Sequence, residues 1–403
     1  MDSIYFDNAS TSFPKSKKVL ESISDFIQNT DGSYNRTEST EESDYIFETR
    51  RKLAELIGVK YPTHIIFTSN ATEALNTIIL GFANKNANIV STVTEHNSVI
   101  RPLTYLQKIR NITVDWAKCD RYGLINVDEL IDFVDEKTDL VIVNHGSNVT
   151  GQVQPIAEIC KRVKQKGDIP ILIDMSQTLG HIEIDNNNLE ADFIVFTGHK
   201  ALKALSGIGG FYIHPKHTSI SPLKVGGTGV LSELLSQPRT LPYYFESGTL
   251  NYPGIFSLYC SLSEMSTETL KNKKEYIYTL THYLINKLTD MHNIDIYSNA
   301  NVLGIVSFNI KGMIAARVSS LLQKENIKTR SGLLCAPFLH HHIHDNVYGC
   351  VRISLSESNT KEETDKLIDI LEGICNKVGE YQNIKLPRVY ELPIPERKYF
   401  NAK

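Results

Sequence analysis

Phe193-Ile194-Val195-Phe196-Thr197-Gly198-His199-Lys200 is an apolar run that ends in a hydroxyl, a glycine, an imidazole and a lysine. Four apolar residues in succession, two of them β-branched, read as a strand buried on both faces. The small-residue turn behind it leaves Lys200 at the strand's C-terminal end. A second run upstream, Pro170-Ile171-Leu172-Ile173-Asp174, delivers a carboxylate in the same way and continues into Ser176 and Gln177. Further short apolar runs recur at Ile65 to Thr68, Ile89 to Val93, Leu140 to Val143 and Gly210 to Ile213. Stretches of helical periodicity separate several of them, so the chain reads as α/β, a mostly parallel sheet covered by helices. In open sheets of this kind ligands bind beyond the C-terminal ends of the strands.

The residues at those ends suggest a chemistry. A lysine whose pKa is lowered by burial condenses with an aldehyde. A carboxylate beside a pyridine nitrogen keeps that nitrogen protonated. The run Ser69-Asn70-Ala71-Thr72-Glu73 opens an apolar helix, and free N–H groups at a helix start suit a phosphate. Two more strand ends give Thr94-Glu95-His96-Asn97-Ser98 and Asn144-His145-Gly146-Ser147-Asn148-Val149-Thr150-Gly151. Each cluster has an ordinary alternative: Lys200 as a surface lysine, Asp174 as a helix cap, residues 69–73 as simple N-capping. The expectation is that all five converge on one crevice.

Composition narrows the classes of function. In 403 residues, 41% hydrophobic, there is material for two or three folding units. Forty-six acidic and 42 basic side chains, in no long run of either sign, offer no broad basic face to nucleic acid or anionic lipid. The start, Met1-Asp2-Ser3-Ile4-Tyr5-Phe6-Asp7, is acidic where a signal peptide is basic, and no later run is long enough for a bilayer. A cytoplasmic protein with no membrane partner is expected. The six cysteines lie far apart and lack CxxC spacing, so they read as free thiols. His340-His341-His342 and His344 are expected on an extended loop, where adjacent side chains diverge, and no metal site is predicted.

Ile46, Leu53 and Ile57 share a face of one helix, closed by Gly58. Leu367, Ile368, Leu371, Ile374 and Val378 stripe another that opens with Thr360 and Glu363 at capping-box spacing. From Ser221 to Gly254 turn formers predict a long irregular segment. The organisation expected is an N-terminal arm (1–14) associated with the smaller domain, a large domain (15–255), a smaller α+β domain (256–380) and an extended tail (381–403).

Taken together, Asp174-x-x-Gln177 and Thr197-Gly198-His199-Lys200 resemble the cysteine desulfurase and selenocysteine lyase branch of the class V aminotransferases. The likeness runs along nearly the whole chain: Tyr5-Phe6-Asp7-Asn8-Ala9-Ser10-Thr11, Asn70-Ala71-Thr72-Glu73-Ala74, Glu95-His96-Asn97, Ser147-Asn148-Val149-Thr150-Gly151, Gly226-Gly227-Thr228-Gly229 and Glu246-Ser247-Gly248-Thr249-Leu250-Asn251. Near the end come Arg330-Ser331-Gly332-Leu333-Leu334-Cys335-Ala336-Pro337 and Gly349-Cys350-Val351-Arg352-Ile353-Ser354.

The resemblance implies the type I fold of transferases that use pyridoxal 5'-phosphate (PLP). It implies that Lys200 carries the cofactor as a Schiff base and returns as general base and acid. Asp174 would pair with the pyridinium, His96 stack on the ring and Gln177 face the ring hydroxyl, while Ala71, Thr72, Thr197 and His199 hold the phosphate end. Thr249 would reach the phosphate of a second subunit in a homodimer. Asn148 and Arg352, with Arg330, would bind a small amino-acid substrate. Cys335 would be the nucleophile, Arg330 favouring its anion, and a sulfur-acceptor protein would be a further partner. The reaction implied is L-cysteine or selenocysteine to alanine; another class V reaction (transamination or C–S lyase chemistry) and a weakly active scaffold for a sulfur acceptor are the alternatives.

The chain departs from many relatives in three places. Leu334 stands where they have histidine before the nucleophile, residues 32–39 lack a histidine, and Lys203-Ala204-Leu205-Ser206-Gly207 replaces the usual turn after the lysine.

Overall fold

The computed structural model describes residues 3–29, 45–344 and 348–381. The segment 32–39 and the tail from 382, both read above from sequence, lie outside the described residues.

A short strand β1 (Ile4–Tyr5) precedes helices α1 (Lys17–Asn29) and α2 (Tyr45–Ile57). Strands and helices then alternate: β2 (Ile65–Thr68), α3 (Ala71–Phe82), β3 (Asn88–Thr92), α4 (Asn97–Arg110), β4 (Thr113–Ala117), α5 (Val127–Phe133), β5 (Thr138–Asn144), α6 (Ile156–Lys166), β6 (Ile171–Asp174), α7 (Asn186–Leu189), β7 (Phe193–Thr197) and β8 (Gly209–Ile213). They form a seven-stranded sheet in the order β2-β8-β7-β6-β5-β3-β4. Only β8 runs against its neighbours. Six strands therefore end on the same edge, which is what gathers their polar tails.

The unbroken apolar runs have a simple cause. Successive side chains on a strand point to opposite faces, and here both faces are covered. Val143, Ile173, Ile194 and Phe196 enter one core cluster, while Ile142, Leu172, Phe193 and Val195 enter the other. β8 passes beneath the start of α3, where a Cβ on Gly209 would lie 2.8 Å from the Asn70 carbonyl carbon. Only glycine permits that approach. The edge strand β4 carries exposed residues at alternate positions, Thr113, Asp115, and for that reason lacks the apolar run that marks the others.

Beyond β8 the only regular element before α8 (Tyr252–Ser263) is a single turn at Pro215–His217, so the segment read as irregular is so until Asn251 caps α8. Then follow α9 (Thr267–Thr289), β9 (Ile294–Ile296), β10 (Ile305–Ile310), α10 (Ala315–Lys324), β11 (Ile327–Lys328), β12 (Arg330–Gly332), α11 (Pro337–Ile343), β13 (Cys350–Ser354), α12 (Lys361–Asn376) and α13 (Val378–Tyr381). An antiparallel sheet, β12-β13-β10-β9, packs with α9, α10 and α12 around a third apolar cluster. The first strand pairs in parallel with β11, and Asp7 bridges to Ser354.

Two expectations need correction. The histidine-rich stretch is helical in α11, because Pro337 is preorganised for a first helical turn and Leu339 and His340 are buried. His340 and His344, four residues apart, therefore meet with ring nitrogens 2.9 Å apart instead of diverging. α12 ends at Asn376, so Val378 lies outside it and opens the separate short helix α13, although Thr360 and Glu363 do form the capping box. Among the described residues no group of three or more His, Cys, Asp or Glu could hold a metal ion, and no helix is long and apolar enough to cross a membrane.

Candidate active site

A cavity of about 190 Å³ opens where β2, β3, β5, β6 and β7 end, and its lining draws on all five polar clusters: Ala71 and Thr72, His96, Asn148, Asp174 and Gln177, and Thr197, His199 and Lys200. Burial lowers the Lys200 ammonium to about 8, against the opposing pull of Asp174. Asp174, itself buried at the end of β6, accepts from the Ser176 N–H at 2.9 Å and from the Ser176 hydroxyl. Gln177 donates to the Ala9 carbonyl at 3.2 Å, which ties the N-terminal arm to the cavity wall.

His96 caps α4: its Nδ1 accepts from the Ser98 N–H at 3.1 Å. Burial, then the Lys200 charge, pushes its pKa down to about 4, so the ring is neutral at physiological pH. The Ser98 hydroxyl lies 2.9 Å from that Nδ1 and 2.7 Å from Thr72 Oγ1, linking the His96 wall to the α3 wall.

At the far end, Asn70 caps α3 by accepting from the Glu73 N–H, and the first-turn N–H groups of Ala71 and Thr72 have no intrahelical partner. Thr197 Oγ1 and His199 Nδ1 are buried there without a hydrogen-bond partner among the described residues. Burial holds His199 neutral, down at about 4. Unpartnered buried polar atoms beside a helix N-terminus are what an anionic, oxygen-rich group would satisfy. With a lysine, a carboxylate and a flat imidazole at the other end, the cavity fits PLP in both its charged ends.

Sequence reasoning assigned nothing to Glu95, yet this residue supports the site from below. It is fully buried; Oε1 accepts from the Asn144 N–H at 2.8 Å and the Thr92 hydroxyl at 2.9 Å, joining the ends of β3 and β5, and Oε2 has no partner among the described residues. Burial pushes its carboxyl up to about 8. An acidic residue inside an apolar strand end was the available signal.

Arg352 on β13 is 3% exposed and already occupied: Nη2 donates to Asp7 Oδ1 at 2.7 Å and Ser10 Oγ at 2.8 Å, and Nη1 donates to the Asn148 carbonyl at 2.9 Å. Its Nε is buried without a partner among the described residues. Nothing local in the sequence links Asp7 to Arg352, 345 positions away. Cys335 is exposed, on the turn between β12 and α11, and close enough for a thiolate there to act on the Lys200 charge. Leu334 and Cys335 both adopt left-handed backbone, φ 49° and 59°. Each such non-glycine residue costs on the order of 1 kcal/mol or more and persists only where its surroundings hold it. Arg330 starts β12 on the exposed side, and its charge reaches Arg352. Thr249 is exposed and does not line this cavity.

The model of the family "Aminotransferase class-V" matches residues 4–367. The chain belongs to the class V aminotransferases. Members of this family use PLP, in keeping with the two ends of the cavity. The chain is 30% identical to a cysteine desulfurase of Escherichia coli O157:H7, over 93% of this chain and 94% of that one. It is equally 30% identical to a probable cysteine desulfurase of Borreliella burgdorferi, covering 93% and 92% of the two chains. Among solved structures, the apo cysteine desulfurase of Thermococcus onnurineus NA1 superposes with a TM-score of 0.84 at 26% identity, covering 93% of this class V chain and 95% of the other.

Proposed function

We propose that the protein is a PLP-dependent cysteine desulfurase: L-cysteine, or selenocysteine, is converted to alanine and the chalcogen passes to Cys335. The observation that carries the reading is the placement of one exposed thiol, on a strained turn, beside a cavity with a lysine, a carboxylate and a neutral imidazole. The similarity to cysteine desulfurases in the Escherichia and Thermococcus proteins supports it. When bound, PLP supplies the electron sink that makes the Cα–H of an amino acid acidic.

The chain's own residues do the rest. Lys200 holds the cofactor and, once released, moves the proton from Cα, for which an amine near pKa 8 is suited at neutral pH. Asp174 keeps a pyridine nitrogen protonated, His96 covers the ring, and Gln177 faces its hydroxyl. Thr197, His199 and the N–H groups of Ala71 and Thr72 take the phosphate. Arg352 and Asn148, with Arg330 at the entrance, receive the substrate carboxylate. The Cys335 thiolate attacks the substrate sulfur: an S–S bond forms, the substrate's carbon–sulfur bond breaks, and its electron pair stays with carbon, which is then protonated. The sulfur left on Cys335 is passed to an acceptor protein. Exposed Thr249 serves the phosphate of a second copy in a homodimer.

The purified protein incubated with L-cysteine, L-selenocysteine or L-cysteine sulfinate should form alanine, the chalcogen of the first two leaving Cys335 as sulfide or selenide when a thiol reductant is added and that of the sulfinate leaving as sulfite. Alanine from none of the three, or an amino-group transfer to an added keto acid, would overturn the reading.

A further inference from the structure

The turn that presents Cys335 is held from across the molecule. The Cys335 carbonyl accepts from the Asn97 N–H, the first residue of α4, at 2.7 Å. The Leu334 carbonyl accepts from Asn148 Nδ2 at 2.6 Å. These two carbonyls belong to the two residues of the turn in left-handed backbone, and among the described residues the Ala336 N–H to Leu333 bond, 2.8 Å, adds to them. Of the two outside anchors, Asn97 is a fixed backbone group, whereas Asn148 offers a side chain that lines the cavity. Asn148 is also locked in place: its own carbonyl accepts from Arg352 Nη1.

An amide nitrogen carries two N–H groups. Because Leu334 presents an acceptor, the atom that faces it is the nitrogen, and one N–H remains on the cavity side. We infer that Asn148 is the positioning residue for Cys335, one N–H of its amide holding the Leu334 carbonyl and the other taking the carboxylate of the bound amino acid. A single nitrogen then sets the thiol's place relative to the substrate. The inference rests on the proposed function only for what the second N–H binds; the hold on the turn is independent of it.

Leu334 itself follows from this arrangement. Its side chain packs against the apolar cluster of Cys119, Val149, Ala336, Leu339 and Cys350, so the side chain anchors the turn from below while its carbonyl is held from the cavity. A residue without that apolar contact would leave the amide as the turn's main restraint.

Hydrogen exchange by mass spectrometry, on the cofactor-loaded enzyme without substrate, tests the hold. Asn148→Ala and the isosteric Asn148→Asp, which puts an acceptor against an acceptor, should both speed exchange of the segment 333–339 roughly ten-fold, the factor given by losing one well-formed hydrogen bond. Exchange of β7 and α3 should stay as in the wild type. L-alanine, which has a carboxylate but no sulfur, should slow the segment in the wild type and leave it fast in both variants. In turnover, kcat with L-cysteine should fall further than KM rises, since binding by Arg352 survives while the thiol is displaced. A residue that only bound the carboxylate would change KM and L-alanine affinity and leave the substrate-free exchange untouched. Wild-type exchange of 333–339 in both variants overturns the inference, and so does a wild-type segment that L-alanine leaves unchanged. If the wild type makes no alanine from L-cysteine, the proposed function fails while the substrate-free exchange result still decides this one.

Discussion

Glu95→Gln isolates the buried carboxyl that supports the site. In the folded chain this carboxyl is raised to about 8, chiefly by burial, from an ordinary 4.5. Below pH 4.5 it is protonated in both folded and unfolded chains and contributes nothing pH-dependent. Between 4.5 and about 8 the folded chain keeps a proton that the unfolded chain releases, so stability falls as pH rises. At about 1.4 kcal/mol per pH unit, the loss accumulated by pH 8 is on the order of 4 to 5 kcal/mol. Glutamine has the same shape, keeps an oxygen for the Asn144 N–H and the Thr92 hydroxyl, and does not titrate. Its unpartnered amide hydrogens add a constant penalty, which moves the whole curve and not its slope. Urea unfolding of wild type and variant at a series of pH values should give curves separated near pH 4.5 only by that constant penalty, the variant then gaining on the wild type by a few kcal/mol between pH 4.5 and 8 with unchanged m-value. A stability difference that stays flat across that range would show that Glu95 ionises normally, and the account of the buried β3–β5 bracket would be wrong.

Lys200→Ala should keep the fold and lose every borohydride-reducible attachment of cofactor; a covalently reduced cofactor in that variant would move the Schiff base elsewhere. Arg50→Ala should cost about 3 to 5 kcal/mol in unfolding experiments, because Glu246, 3% exposed in its side chain and paired bidentately with Arg50 at 2.8 and 2.7 Å, would be left as an unpaired buried charge. A loss below about 1 kcal/mol would mean that solvent reaches Glu246. Thr249→Ala should weaken cofactor retention without altering the sedimentation coefficient of a dimer, and a fully active monomer would remove Thr249 from any site.

Much of the site could be read from the sequence because it is built from contiguous segments. Phe193 to Lys200 and Ile171 to Gln177 each join a strand buried on both faces to a polar end, and parallel pairing brings such ends together without further information. The α/β class with its mostly parallel sheet follows from the same alternation, and the type I fold from the family resemblance. The parts that were not legible depend on pairs distant in sequence. Asp7 meets Arg352 across 345 residues and Asn148 meets Leu334 across 186, and no local pattern encodes either. β4 escaped notice because an edge strand exposes alternate residues, and α11 because three consecutive histidines suggest a loop until Pro337 and the buried Leu339 are weighed as a helical turn.

The central claim is that Cys335 takes the sulfur while Lys200 serves the cofactor, and single turnover tests both together. The wild-type enzyme mixed with one equivalent of L-cysteine should yield alanine and a persulfide on the Cys335 peptide in equal amounts. Cys335→Ser should still bind PLP and still change its absorption on adding L-cysteine, because Lys200, Asp174 and Arg352 are untouched, but form neither alanine nor persulfide. Sulfide release by Cys335→Ser at the wild-type rate would contradict the account and assign the protein C–S lyase chemistry that needs no enzyme thiol.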